Sequence, residues 1–170
     1  QSLACLASAF PAQNLPSYAD IESLPPHVTG EIVAGVLYAT PRPAVAHAFT
    51  ESAISVDVGN AFQRGRGGPG GWIILVEPEL HLGDDVLVPD LCGWHCSTLR
   101  KVPADDAAIT VVPDWVCEVL SPSTVRRDRG PKLEAYWRHG VGHAWLVHPH
   151  DRVVDVFRRG PESWYFDGVA

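Results

Sequence analysis

No run in this sequence is apolar over the roughly 18 residues that a membrane-spanning helix needs. The apolar tract Leu3 to Phe10 also has no basic flank, so neither an anchor nor an uncleaved signal is expected. Basic residues are in short supply. Lys+Arg 13 against Asp+Glu 20 leaves a net charge of −7, which excludes a broad cationic coat for nucleic acid and leaves room only for a local basic patch. Cysteines number 4, too sparse for a secreted disulfide scaffold, and Cys5, Cys92, Cys96 and Cys117 are expected as free thiols in a reducing cytoplasm. The glycine run Gly65 to Gly71 lacks the Lys-Ser/Thr ending of a phosphate loop and leads into a strand, so it reads as a plain loop. A G-x-S-x-G elbow is absent too, and with it the case for covalent acyl chemistry. No internal repeat is visible.

What is present suits one globular domain. The chain has 170 residues, 46% hydrophobic and 19% charged, enough to bury a core without metal or disulfide staples. Residues 1 to 27 form a Pro-, Ala- and Ser-rich arm with a short helix near Tyr18 to Leu24, and the domain proper is expected over residues 28 to 170. Glu31 to Ala39 reads as a hairpin hinged at Gly35. Ala44 to Arg64 reads as a long helix on the spacing of Val45, Phe49, Ala53, Val56 and Phe62. Trp72 to Leu82 and Asp85 to Trp94 read as two strands joined by the turn dipeptide Gly83-Asp84. A strand over 111 to 121 follows, then a helix from Pro131 to His139 with Gly140 as its C-terminal cap. Strands Ala144 to Val147, Arg152 to Phe157 and Trp164 to Phe166 close the chain. This order predicts an α/β fold, one mixed β-sheet flanked by helices.

Glu118 stands out because it is a carboxylate among the β-formers of the apolar strand Val112 to Leu120, where burial is costly without a partner. If the strand carrying Asp90 pairs with it, alternation puts Asp90 and Glu118 on one face, with Trp115 and Cys117 on the other. Converging carboxylates suit a hard divalent cation such as Mg²⁺ or Mn²⁺; a structural salt bridge from Glu118 to Lys132 is the competing reading. Lys132 shares a helix face with Ala135 and Tyr136 and points towards the sheet, or else is a solvated first-turn lysine. Arg126, Arg127 and Arg129 form a local basic run beside it, either a phosphate-facing patch or a solvated loop. Asp90 after Pro89 also fits a turn. Cys92, His95 and Cys96 keep a zinc hydrolase open, although no fourth ligand is apparent. Gly140 and Gly142 break any shared metal face of His139 and His143, and His148 and His150 read as surface residues.

Several motifs together resemble the Uma2 family of restriction-endonuclease-like proteins over residues 18 to 160. They are Gly30-Glu31-Ile32 with Gly35-Val36-Leu37, Pro43 with His47, Glu77-Pro78-Glu79, Val88-Pro89-Asp90, Pro113 through Thr124, Arg127-Asp128-Arg129-Gly130 with Lys132, Tyr136, and Trp145-Leu146-Val147. The resemblance implies a PD-(D/E)xK fold, an αβββαβ core with an N-terminal β-hairpin. It implies a Mg²⁺-dependent DNA endonuclease, with Mn²⁺ as substitute, acting on a phosphodiester through water. Asp90 and Glu118 would be its metal ligands. Leu120 occupies the position of the usual lysine, so Lys132 takes that role from the following helix. Glu31 and Glu79 match acids of the family pattern and stand, with His47, as second-tier candidates for the catalytic set, and Arg126, Arg127 and Arg129 would meet the DNA. A homodimer would supply one site per strand. The other reading is an inactive member of the fold that binds nucleic acid or regulates.

Overall fold

In a computed structural model, residues 15–41, 43–103 and 105–170 are described. Cys5 and the tract Leu3 to Phe10 lie outside them. Helix α1 (Tyr18–Glu22) starts at Ser17, whose backbone and hydroxyl both donate to Asp20. Strands β1 (Val28–Val33) and β2 (Val36–Pro41) form the expected hairpin. Its two-residue turn has φ of 51° at Ala34 and 75° at Gly35, the pair of positive values that lets a tight turn follow the strand twist. Helix α2 (Val45–Val58) runs on as a π-type turn, Gly59–Gln63.

The two long strands expected over 72–94 are each broken in the middle. The first is β3 (Trp72–Val76) and β4 (Leu80–Leu82); the second is β5 (Asp85–Leu87) and β6 (Leu91–His95). Glu77 with φ 47° and Pro78 interrupt one, and Pro89 interrupts the other, because proline offers no N–H to a ladder. The long hairpin therefore bends and serves two sheets. Its tip, β4 and β5, joins the N-terminal hairpin in an antiparallel sheet of order β2-β1-β5-β4, while β3 and β6 enter a six-stranded mixed sheet. The single mixed sheet expected from the sequence is thus a larger mixed sheet with helices and a smaller companion.

The larger sheet has the order β10-β9-β8-β7-β6-β3, with β7 (Trp115–Val119) near its middle, then β8 (His143–His148), β9 (Val153–Arg159) and β10 (Trp164–Val169). β7 pairs antiparallel with β6 and parallel with β8. The parallel step needs a crossover, supplied by α3 (Val125–Arg127), a π-type turn (Asp128–Lys132) and α4 (Leu133–His139). Pro131 lies inside this kinked segment and not at its start, next to Gly130, whose φ/ψ of −109°/−109° marks the bend. Gly140 caps α4 with φ 94°, as expected.

Both faces of β7 are buried. Val116 packs with Tyr136, Ala135, Trp94 and Leu146 on the α4 side; Trp115, Cys117 and Val119 pack with Leu91, Val58 and Val147 on the α2 side. Full burial of every residue from Trp115 to Val119 explains the unbroken apolar pattern and isolates Glu118. Helix α2 departs from its expected face. Val45, Phe49 and Val56 are exposed, and the row His47, Glu51, Ile54, Val58 turns inwards, with His47, Glu51 and Val58 buried. These four fall at i, i+4, i+7 and i+11, so the inward face has helical spacing but begins with two ionisable groups.

Candidate active site

The bends in the long hairpin create the site. Pro89 ends β5, and Asp90 turns at the head of β6; because Leu91 lies across from Cys117, the next step back sets Asp90 across from Glu118. The neighbouring bend is stapled to it by the Glu77 N–H, which donates to the Asp90 carbonyl at 2.9 Å. Between the two sheets lies a cleft of about 230 Å³, lined by Glu31, Glu77, Asp90, Glu118 and Asp128, with His47, Arg127 and the Ser121-to-Thr124 loop on its walls.

Each central carboxylate has one oxygen clamped by two donors. Asp90 Oδ2 accepts the Val119 N–H at 2.6 Å and faces His47 Nε2 at 3.1 Å. Glu118 Oε1 accepts the Tyr136 hydroxyl at 2.5 Å and Lys132 Nζ at 3.0 Å. No hydrogen bond is made to Asp90 Oδ1 or Glu118 Oε2 by the described residues, and both side chains line the cleft.

Lys132 is deeper than the sequence reading supposed. Its Nζ donates to the Val88 carbonyl at 2.9 Å and pairs with Glu31 Oε1 at 2.8 Å as well as with Glu118, which occupies its three hydrogens. At 1% exposure it does not line the cleft, so in this geometry it holds Glu31 and Glu118 and does not itself reach a water or phosphate. Glu31 is locked in turn: the Val88 N–H donates to Oε1 at 2.8 Å and Arg127 Nη1 to Oε2 at 2.7 Å. Arg127 also donates to Thr40 Oγ1 at 2.7 Å and through Nε to Asp128 at 3.0 Å.

Carboxylates outnumber cations here, and titration follows from that excess. Burial first, then the neighbouring Asp90, Asp128 and Glu31, push the Glu118 carboxyl well up, with Lys132 pulling against them. Burial works against the Lys132 charge, but Glu118 and Glu31 outweigh it and raise its pKa. The direction that stands is a charged Lys132, since all its hydrogens meet acceptors. Glu51, on α2, is raised from 4.5 to about 7 by burial and by Asp90 and Glu77. Its Oε1 is buried without a hydrogen-bond partner, as is Nδ1 of His47, which lies 3.8 Å from the other Glu51 oxygen.

The structure therefore gathers Glu31, Asp90, Glu118, Lys132 and His47. Glu79 lies elsewhere: it is bonded to His81 at 2.7 Å beyond the bend, and Glu77 takes its place on the cleft. The arginines separate. Arg127 is held in the buried network, Arg126 is exposed, and Arg129 is tied to Asp155 and to His148, which is half-buried and not a surface residue. The zinc reading also fails on position. Cys92 is buried in the core while His95 and Cys96 are exposed, and among the described residues no three His, Cys, Asp or Glu side chains are disposed to hold a metal together. Glu51 and Glu77 were not anticipated. The signal for Glu51 was its place four residues after His47 and in the same helical row as Ile54 and Val58; Glu77 stood in the motif Glu77-Pro78-Glu79, where nothing local favoured it over Glu79.

Comparison with known proteins gives a consistent picture. A family model, Uma2, described as a putative restriction endonuclease, matches residues 15–167. Among solved structures, a putative nuclease belonging to DUF820 from Anabaena variabilis superposes with a TM-score of 0.67 at 21% identity, over 82% of this chain and 77% of that one. At that identity the likeness speaks for the fold alone. No curated protein matches the chain.

Proposed function

This chain belongs to the Uma2 family, and from that premise we propose that the cleft is the active site of a divalent-metal-dependent DNA endonuclease. The observation that carries the reading is the pair Asp90 and Glu118, each with one oxygen clamped by two donors and the other uncommitted at the cleft. Mg²⁺ is commonly bound through one or two carboxylates plus water and substrate phosphate, and Mn²⁺ takes the same oxygen donors, so this donor set fits such an ion. The orphaned Glu51 oxygen and the surplus of carboxylates support the fit, because like charges held this close favour a cation between them. When bound, the metal would supply Lewis acidity and a lowered water pKa.

The chain's own residues do the rest. His47 and the Val119 N–H hold Asp90, Lys132 and Tyr136 hold Glu118, and Arg127 with Lys132 holds Glu31. Lys132 and Arg127 keep positive charge behind the carboxylates, where it offsets their repulsion and contributes to the field on a phosphodiester. Backbone contacts to DNA fall to Arg127 on the cleft wall and to the exposed Arg126 next to it in the chain, and a homodimer would bring one cleft to each strand. No described helix is long and apolar enough to cross a membrane. The free Cys92, Cys96 and Cys117 are consistent with a cytoplasmic setting.

Glu118→Ala tests the reading directly. It is expected to lower Mg²⁺-dependent cleavage of plasmid DNA by on the order of 10³-fold or more, and undiminished cleavage would overturn the mechanism. One observation favours a second reading: with Lys132 fully engaged and no three described side chains disposed to share a metal, the fold also suits a binding or regulatory protein without catalysis. A folded wild-type chain that binds neither Mg²⁺ nor Mn²⁺ would select it.

A further inference from the structure

Next to the acidic cleft lies a second groove of about 330 Å³. Thr40, Ser123, Thr124 and Arg127 line both. In the groove the character reverses. The groove is completed by Tyr38, Arg126 and the backbone-constraining Pro131, and no acidic side chain lines it, whereas the cleft holds the carboxylates of Glu31, Glu77, Asp90, Glu118 and Asp128.

The groove also has uncommitted donors. Arg126 is exposed, and no described carboxylate pairs with it. Arg127 spends Nε on Asp128 and Nη1 on Glu31 and Thr40, which leaves the Nη2 hydrogens without a partner among the described residues. Thr40 Oγ1 accepts from Arg127, so its own hydrogen is available to donate. Ser121 sits at the centre of a hydroxyl chain, 3.0 Å from Ser123 and 3.0 Å from Thr124. The half-buried Tyr38 ring, carried on β2 and packed on the core, has the Arg127 guanidinium carbon over it at 5.9 Å from its centroid and shows its remaining edge to the groove.

Resting on the nuclease reading above, we propose that this groove is a second subsite, which holds the backbone phosphate and base of the nucleotide next to the scissile one. The substrate class that follows is a polynucleotide strand, not a phosphomonoester. Charge explains the division of labour. Carboxylates attract a cation and repel a bare phosphate, so a strand lying in an acidic cleft needs its adjoining phosphate neutralised nearby, and Arg126 with Nη2 of Arg127 is the positive charge within reach. A phosphate contact of this kind is independent of base identity and weakens with salt. Stacking on Tyr38 is equally tolerant of sequence. Arg129 takes no part, because Asp155 and His148 hold it.

The test measures binding apart from cleavage. A fluorescein-labelled 12-nucleotide single strand and its duplex are titrated against wild type, Arg126→Ala, Arg126→Lys and Tyr38→Leu, with Ca²⁺ in place of Mg²⁺, across a series of salt concentrations. Arg126→Ala is expected to weaken binding about 10-fold at low salt and to reduce the salt slope by about 1, and Arg126→Lys is expected to recover most of the slope. Tyr38→Leu is expected to weaken the single strand by about 10-fold with the salt slope kept. Affinity for Mn²⁺ alone is expected to be the same in all four proteins, and thermal melting of each checks that Tyr38→Leu is folded. If wild type binds DNA and Arg126→Ala matches it in affinity and slope, the second subsite is overturned while the nuclease reading survives. If wild type binds no DNA at all, both fall.

Discussion

Two clusters of buried carboxylate tie the small sheet to its surroundings, and they are satisfied in different ways. Asp85, on β5, uses both oxygens: Oδ1 accepts the Ala34 N–H at 2.7 Å, and Oδ2 meets Arg138 at 2.9 Å and His139 at 2.7 Å. It bolts the turn of the N-terminal hairpin to the end of α4. Asp90, past the far end of β5, lies across from Glu118 of β7, and these two use one oxygen each on the protein. A buried charge is therefore no mark of a site in this molecule. The mark is a set of acceptors that burial has brought together and the protein has left half satisfied.

The sharpest way to break that contrast is at the cation they need. Lys132→Met would leave Glu31 and Glu118 buried without their shared counter-ion, and a loss of about 3–5 kcal/mol in urea unfolding is expected; a loss below 1 kcal/mol would mean that the carboxyls are held neutral. Asp85→Asn comes next. It breaks the saturated cluster and is expected to cost about 1–3 kcal/mol while Mn²⁺ affinity, measured by calorimetry, stays at the wild-type value. Weaker Mn²⁺ binding in that variant would show that the two clusters are one functional unit.

The smallest effect concerns Glu51. Its carboxyl is raised from 4.5 to about 7, so over that window the folded state binds the proton more tightly than the unfolded state does. Stability from this group is then fully present below pH 4.5 and is lost as pH rises through about 7. Chelator-treated protein is expected to lose stability between pH 5 and 7.5, and Glu51→Gln to flatten that dependence. An identical pH profile in the variant would remove Glu51 from the electrostatics of the cleft.

Much of the framework was legible because it depends on neighbours in sequence. The apolar run with one acid marked β7, Gly83-Asp84 marked the tip of the long hairpin, Gly140 the end of α4, and Ala34-Gly35 the first hairpin turn. Lys132 meeting Glu118 followed from helix and strand periodicity. Other features had no local cause. Pro78 and Pro89 could each be seen to interrupt a strand, but the exchange of β4 and β5 into another sheet depends on β1, more than fifty residues earlier in the chain. The apolar residues of α2 suggested the wrong face, since Val45, Phe49 and Val56 remain in water while His47 and Glu51 turn inwards. Arg127 looked like part of a surface run and is instead half-buried and paired with Glu31, from the first strand.

By itself, the sequence determined the family and the order of most elements and pointed to Asp90 and Glu118, because these rest on short-range periodicity, turn chemistry and several motifs read together. Only the tertiary structure decided which acids share the cleft, how deep Lys132 lies, and which arginine remains free. Those outcomes depend on where two sheets meet across a bent hairpin. Burial and charge pairing at such a junction are set by residues far apart in the chain, and no local pattern records them.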